Sequence, residues 1–149
     1  MIKAFIKEVI SLNTIRENTG FGKHSISAVA ICCGNDINIS IAGGEKKHIG
    51  AVAIGVPKDK TKVSNVIINS ATTSVICVQD HKEDEYAYLA AKHLATELDC
   101  VVTVSVGIHI DNVVEKDLEI LSNNFKEIIE KLEKSLKLIG KGKSTLSYF

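Results

Sequence analysis

The sequence predicts an α+β fold: one domain built on a mostly antiparallel β-sheet with two helices packed against it. Three observations carry that expectation. Short runs in which apolar residues alternate with polar or small ones crowd the stretch from 25 to 79, the period-two pattern of half-buried strands. Two later stretches, about 81–98 and 113–139, repeat apolar residues at i, i+3 and i+4, the spacing of a helix face. Between them, 72–110 forms a strand–helix–strand unit, which ordinarily pairs its strands in parallel. A chain of 149 residues can bury a single core, and 1–149 shows no repeat or linker that would divide it.

Taken in order, residues 2–15 fit either a helix or a strand. Ile2, Phe5, Ile6, Val9 and Ile10 have helical spacing, while the β-branched content favours extended chain. ENTGFGK at 17–23 predicts a loop from its Asn, Thr and Gly content. SISAVAICC and DINISIA predict a hairpin about a Gly34–Asn35–Asp36 turn, with Ile37, Ile39 and Ile41 on one side. GAVAIGV at 50–56 is a third strand, closed by Pro57 and a charged loop at 58–62. VSNVIIN at 63–69 and TTSVICVQ at 72–79 supply two more. The first helix starts at Asp80, and Ala87, Ala90, Ala91, Leu94, Ala95 and Leu98 make a face small enough to lie close on a sheet. VVTVSVGIHI at 101–110 is the last strand. The second helix carries Leu118, Leu121, Phe125, Ile128, Leu132, Leu136 and Ile139 in one stripe, and 140–149 is expected to be a flexible tail.

Composition excludes several functions. Basic and acidic residues balance at 18 each, so no global field draws the chain to nucleic acid or an anionic membrane. Trp is absent and aromatics are few, which argues against base-stacking surfaces. No apolar stretch approaches the roughly 20 residues of a membrane span, and Lys3, Lys7 and Glu8 interrupt the N-terminus as a signal peptide would not allow. The four cysteines, at 32, 33, 77 and 100, show no CxxC spacing. They are expected to be reduced, buried thiols of a cytoplasmic protein.

Polar chemistry concentrates in three segments at strand ends: GGEKKHIG at 43–50, DHKEDE at 80–85 and GIHID at 107–111. Loops at strand ends are where α/β proteins build sites. In DHKEDE, Asp80 and Glu83 fit a capping box and the acids suit a helix N-terminus. His81 and Lys82 then sit against the helix dipole, an arrangement an anion would relieve. In GIHID, His109 and Asp111 share a strand face beside Gly107; the pair is either a solvated strand end or an oriented imidazole. Asn112 with Glu115 can cap the second helix. GGEKKHIG is either a hairpin loop or a glycine-bearing phosphate loop with Lys46, Lys47 and His48, although it lacks the Walker spacing. His24 and His93 are expected at the surface. No GxSxG or HExxH occurs.

In order, GG…HIGAVAI…P…ATTSVICVQDHKEDE…GIHIDN resembles the prenylated flavin chaperone family, the small D proteins encoded with gallate-type decarboxylases. The resemblance covers about 24–125. It implies a fold similar to the small proteasome assembly chaperones. By position it implicates Gly43, Gly44, His48, Ile49 and Gly50; then Ser74, His81, Lys82, Glu83 and Asp84; then Gly107, His109, Ile110, Asp111 and Asn112. It implies binding of prenylated FMN, or FMN, and its delivery to or maturation for a partner decarboxylase, without turnover and with no catalytic residue of its own. The Glu-Lys-Lys after Gly44 is more charged than the family pattern. Two other functions compete. A metal-dependent enzyme could use His48, His81 and His109 with Asp84 or Asp111. A pure assembly chaperone would work through surfaces alone, and a homodimer is the ordinary expectation.

Overall fold

The computed structural model describes residues 13–143. The period-two segments become β1 (Thr14–Thr19), β2 (Ile26–Cys33), β3 (Asp36–Gly44), β4 (Ala51–Pro57), β5 (Thr61–Val63), β6 (Val66–Ile68), β7 (Ala71–Cys77) and β8 (Val102–His109). The helices are α1 (Asp84–Leu98) and α2 (Glu115–Lys143), and a 3-10 turn covers Gly22–His24. Among the described residues, six strands form one sheet in the order β1-β2-β3-β8-β4-β7. Only β3 and β8 pair in parallel within it; the other neighbours are antiparallel. A single α+β domain with a mostly antiparallel sheet is what the sequence predicts.

Both helices cover one face. Helix α1 lies over β8, β4 and β7, and α2 over β1 and β2. Ala87, Ala90, Ala91, Leu94 and Ala95 of α1 are buried. The small face works as expected, because a Cβ on Gly55 of β4 would come within 2.3 Å of the Ala91 carbonyl oxygen. Beneath the helices the core is built from Ile26, Ile39, Ile41, Val102, Val104 and Val106, with Ile128 and Leu132 from α2. The opposite sheet face carries Val52, Ile54 and Val56 of β4 and Ile76 of β7, all exposed. Among the described residues, no helix is long and apolar enough to cross a membrane.

Several expectations are corrected. Residues 17–19 belong to β1, an edge strand that buries Ile15 and Thr19; residues 2–12 of the ambiguous N-terminus lie outside the described residues. The strand expected at 63–69 is broken by Ser64 (φ 47°) and Asn65 (φ 66°), a two-residue turn that pairs β5 with β6 as a separate hairpin. Strands β7 and β8 are parallel but do not pair, since β4 lies between them and is antiparallel to both. Helix α1 begins at Asp84 rather than Asp80, which is left-handed at φ 64° and caps nothing. Helix α2 begins at Glu115 and runs past 139 to Lys143; Leu118 is 52% exposed and off its buried stripe. Cys33 and Cys77 are exposed, and only Cys32 is buried; all four thiols are free.

Asn112 is left-handed as well (φ 50°), and Asp117 instead accepts from the Val114 amide at 3.1 Å. The same carboxylate receives Lys23 at 2.9 Å and His24 at 2.7 Å. His24 is therefore a hydrogen-bonded partner of Asp117, its side chain 20% exposed, rather than a solvated surface residue. Asn124 donates to the His24 carbonyl at 2.9 Å, so the 20–24 turn is fastened to α2. His93 contacts Glu133 at 2.7 Å and remains substantially exposed.

Candidate functional site

Strands β3 and β8 run in parallel and end at Gly44 and His109, side by side. At that same sheet end β4 begins, β7 finishes and α1 starts. The topology thus gathers all three polar segments, which the sequence separates by tens of residues.

The first and third segments are zipped together. The Glu45 amide donates to the His109 carbonyl at 2.7 Å, and the Asp111 amide donates to Glu45 Oε2 at 2.8 Å. Lys46 Nζ meets Asp111 Oδ1 at 2.7 Å, and His109 Nε2 lies 2.9 Å from the same oxygen. Lys46 first, then His109, hold the Asp111 carboxyl below the usual carboxylate range. The contact orients the imidazole, and with side chains 45% and 48% exposed the pair also remains a solvated strand end.

His48 joins the second segment. Its Nε2 lies 3.1 Å from His81 Nδ1 and 2.7 Å from Glu83 Oε1, with the two rings 4.6 Å apart. Its Nδ1 donates to the Lys46 carbonyl at 3.1 Å. The His109 ring stands 6.3 Å from that of His48, on the margin of the cluster. Glu83 is buried. Its oxygens accept from the Lys82 amide at 3.0 Å and the Ile108 amide at 3.3 Å. The capping box expected of Glu83 does not form, and the carboxylate turns inward to the histidines.

The glycines explain how the segments fit. A Cβ on Gly107 would lie 1.8 Å from the His48 carbonyl oxygen, and one on Gly44 (φ 75°) 2.1 Å from that of His109. On Gly50 it would strike Glu83 Oε2 at 2.4 Å, and on Gly43 the Ser25 carbonyl oxygen at 2.5 Å. These positions let the chain approach itself, so what the Gly107 gap admits is the 45–49 loop.

The remaining predicted residues are more dispersed. Ile49, Lys82 and Asp84 are exposed around the cluster, Asp84 as the first residue of α1. Ile110 is buried in the core. Ser74 sits opposite Ile54 on the uncovered sheet face, about 10 Å along β7 from Cys77, and does not join the histidines. Cys77, opposite Ala51, donates to the His81 carbonyl at 3.1 Å; sequence reasoning gave it no place here. Glu83 is the other residue whose role was misjudged. The His–x–carboxylate spacing that singled out His109 and Asp111 recurs at His81 and Glu83 and could have flagged it.

A family model described as the prenylated flavin chaperone LpdD-like domain matches residues 20–137. No curated protein matches the chain. Among solved structures, one chain from a chaperone complex for yeast 20S proteasome assembly superposes with a TM-score of 0.54 at 13% identity, over 85% of this chain and 96% of that one. At that identity the likeness is one of fold.

Proposed function

The chain belongs to the prenylated flavin chaperone family of LpdD-like domains, and from that premise we propose that it binds prenylated flavin mononucleotide and delivers it to, or matures it for, a partner decarboxylase. The observation that supports this most directly is an apolar strip beside the gathered polar loops. Val52 and Ile76 face each other across β4 and β7, the Val78 amide donates to the Gly50 carbonyl at 2.7 Å, and Ile49 lies one residue further along. All four side chains are exposed, Ile76 at 78%. A tricyclic flavin ring needs a flat apolar surface with a few polar groups at its margin, and His48, His81 and His109 supply that margin.

The phosphate needs cations. Lys46 is engaged by Asp111, whereas Lys47 and Lys82 are exposed and carry no ion pair among the described residues. Helix α1 already has Asp84 and Glu85 in its first turn, and Glu83 takes the Lys82 amide. Lys82, Lys47 and His81 would therefore hold the dianion, with little help from the helix dipole. Ser74 on the same uncovered face offers a hydroxyl to the polar part of the cofactor. In the recipient enzyme the flavin supplies the decarboxylation chemistry; this chain's residues bind it, orient it and shield one ring face. An open sheet face suits a cargo that must leave again.

The test is anaerobic purification after co-expression with a flavin prenyltransferase, followed by an absorption spectrum and native mass spectrometry. The expected result is bound prenylated flavin, with affinity lowered at least ~10-fold in His81→Ala/Lys82→Ala through loss of charge-assisted contacts. Flavin held equally well by that variant refutes the phosphate assignment. Wild-type protein without flavin refutes the carrier.

A further inference from the structure

We propose that His48, His81 and Glu83 bind a divalent first-row transition-metal ion. The three ligand atoms lie within 4.8 Å of one another. The two nitrogens are 3.1 Å apart, and the two Glu83 oxygens lie 2.7 Å (Oε1) from His48 Nε2 and 3.6 Å (Oε2) from His81 Nδ1. A tetrahedral zinc ion with N and O ligands at roughly 2.0–2.2 Å holds them about 3.3 Å apart. The two separations that involve His81 bracket that span, and the 2.7 Å contact between His48 and Glu83 would open by about 0.6 Å around an ion.

Hydrogen bonding leads to the same place. The Lys46 carbonyl only accepts, so His48 Nδ1 carries the hydrogen. His48 Nε2 then faces two partners at once, the Glu83 Oε1 atom 2.7 Å away and the His81 Nδ1 atom 3.1 Å away. One proton on Nε2 serves a single contact well, whereas one metal ion serves all three. The Nδ1–H to backbone-carbonyl bond is the outer partner that orients metal-bound histidines.

The carboxylate is held equally firmly. Two backbone amides fix Glu83, and Gly50 leaves the space that its Oε2 occupies. The His48 and His81 side chains remain 22% and 33% exposed. An ion can therefore enter and keep an open position for water or an anionic oxygen, as two-His, one-carboxylate sites do. His109 stays outside, its Nε2 engaged by Asp111. This set replaces the His109, Asp84 and Asp111 ligands that the sequence offered for a metal.

The test uses chelator-treated full-length chain without flavin, so its outcome is separate from that of the carrier reading. Zn2+ uptake is measured by equilibrium dialysis, and Co2+ serves as a spectroscopic probe. One ion per chain is expected. Binding should weaken on the order of 100-fold in both Glu83→Gln and His81→Ala and hold in His109→Ala. His81→Ala keeps the test decisive if the buried Glu83 variant misfolds. The Co2+ spectrum should lack a thiolate charge-transfer band. A thiolate band, full binding by His81→Ala, or no uptake at micromolar Zn2+ overturns the proposal.

Discussion

Replacing Gly107 by Ala should dismantle the cluster without touching any of its side chains. The new Cβ would meet the His48 carbonyl oxygen at 1.8 Å, its carbon at 2.4 Å and the Ile49 nitrogen at 3.1 Å. All three are backbone atoms, so no rotamer change relieves the clash. Restoring ordinary contact requires the 45–49 loop to retreat by about 1.6 Å. A retreat of that size pulls His48 Nε2 off Glu83, now 2.7 Å away, and loosens the zipper to Asp111. Overpacking of this kind costs roughly 1–3 kcal/mol, and the cluster geometry is lost with it. Gly140→Ala is the control: it lies in α2 with nothing within 4 Å of its Cβ, and Ala in a helix interior should stabilise by up to about 1 kcal/mol. Urea unfolding reads the stability, and Zn2+ dialysis reads the cluster. Gly107→Ala with a wild-type unfolding midpoint and intact ion uptake would refute the reasoning.

Two further predictions concern titration and reactivity. Lys23, then His24 and the Val114 amide, hold the Asp117 carboxyl well below the usual carboxylate range. The unfolded chain therefore takes up that proton first, near pH ~3.9, and Asp117 stabilises the fold above that pH but progressively less as acid approaches its folded pKa. The urea midpoint of wild type should exceed that of Asp117→Asn at neutral pH, with the gap closing from about pH 5 to pH 2; a gap independent of pH contradicts the ion pair. Burial pushes the Cys100 thiol up to about 11, with Asp36, Asp99 and Cys32 adding to the shift. Iodoacetamide at mildly alkaline pH should alkylate exposed Cys33 well before Cys100, followed by peptide mass mapping; equal rates would show that the native fold does not shield Cys100.

Much of the architecture was legible because its signals are local. Alternating Ile37, Ile39 and Ile41 announced β3, Gly34 with Asn35 announced its turn, and the Ala-rich face announced how closely α1 approaches the sheet. Strand β1 was hidden because an edge strand buries little and its polar residues resemble a loop. The Ser64–Asn65 turn was hidden because left-handed Asn also occurs singly in ordinary loops. The three His-bearing segments could be located from sequence, and His48, His81, His109 and Asp111 do gather at one sheet end.

Side-chain period and turn chemistry act over a few residues, so the chain by itself determined which segments are strands or helices and which loops carry charge. Tertiary structure alone decided that β4 separates β7 from β8 and that the glycines admit neighbouring backbone. It also sent Glu83 inward to two histidines rather than to its own helix end. Those outcomes depend on the close approach of segments far apart in sequence, and no local pattern encodes which atoms will meet there.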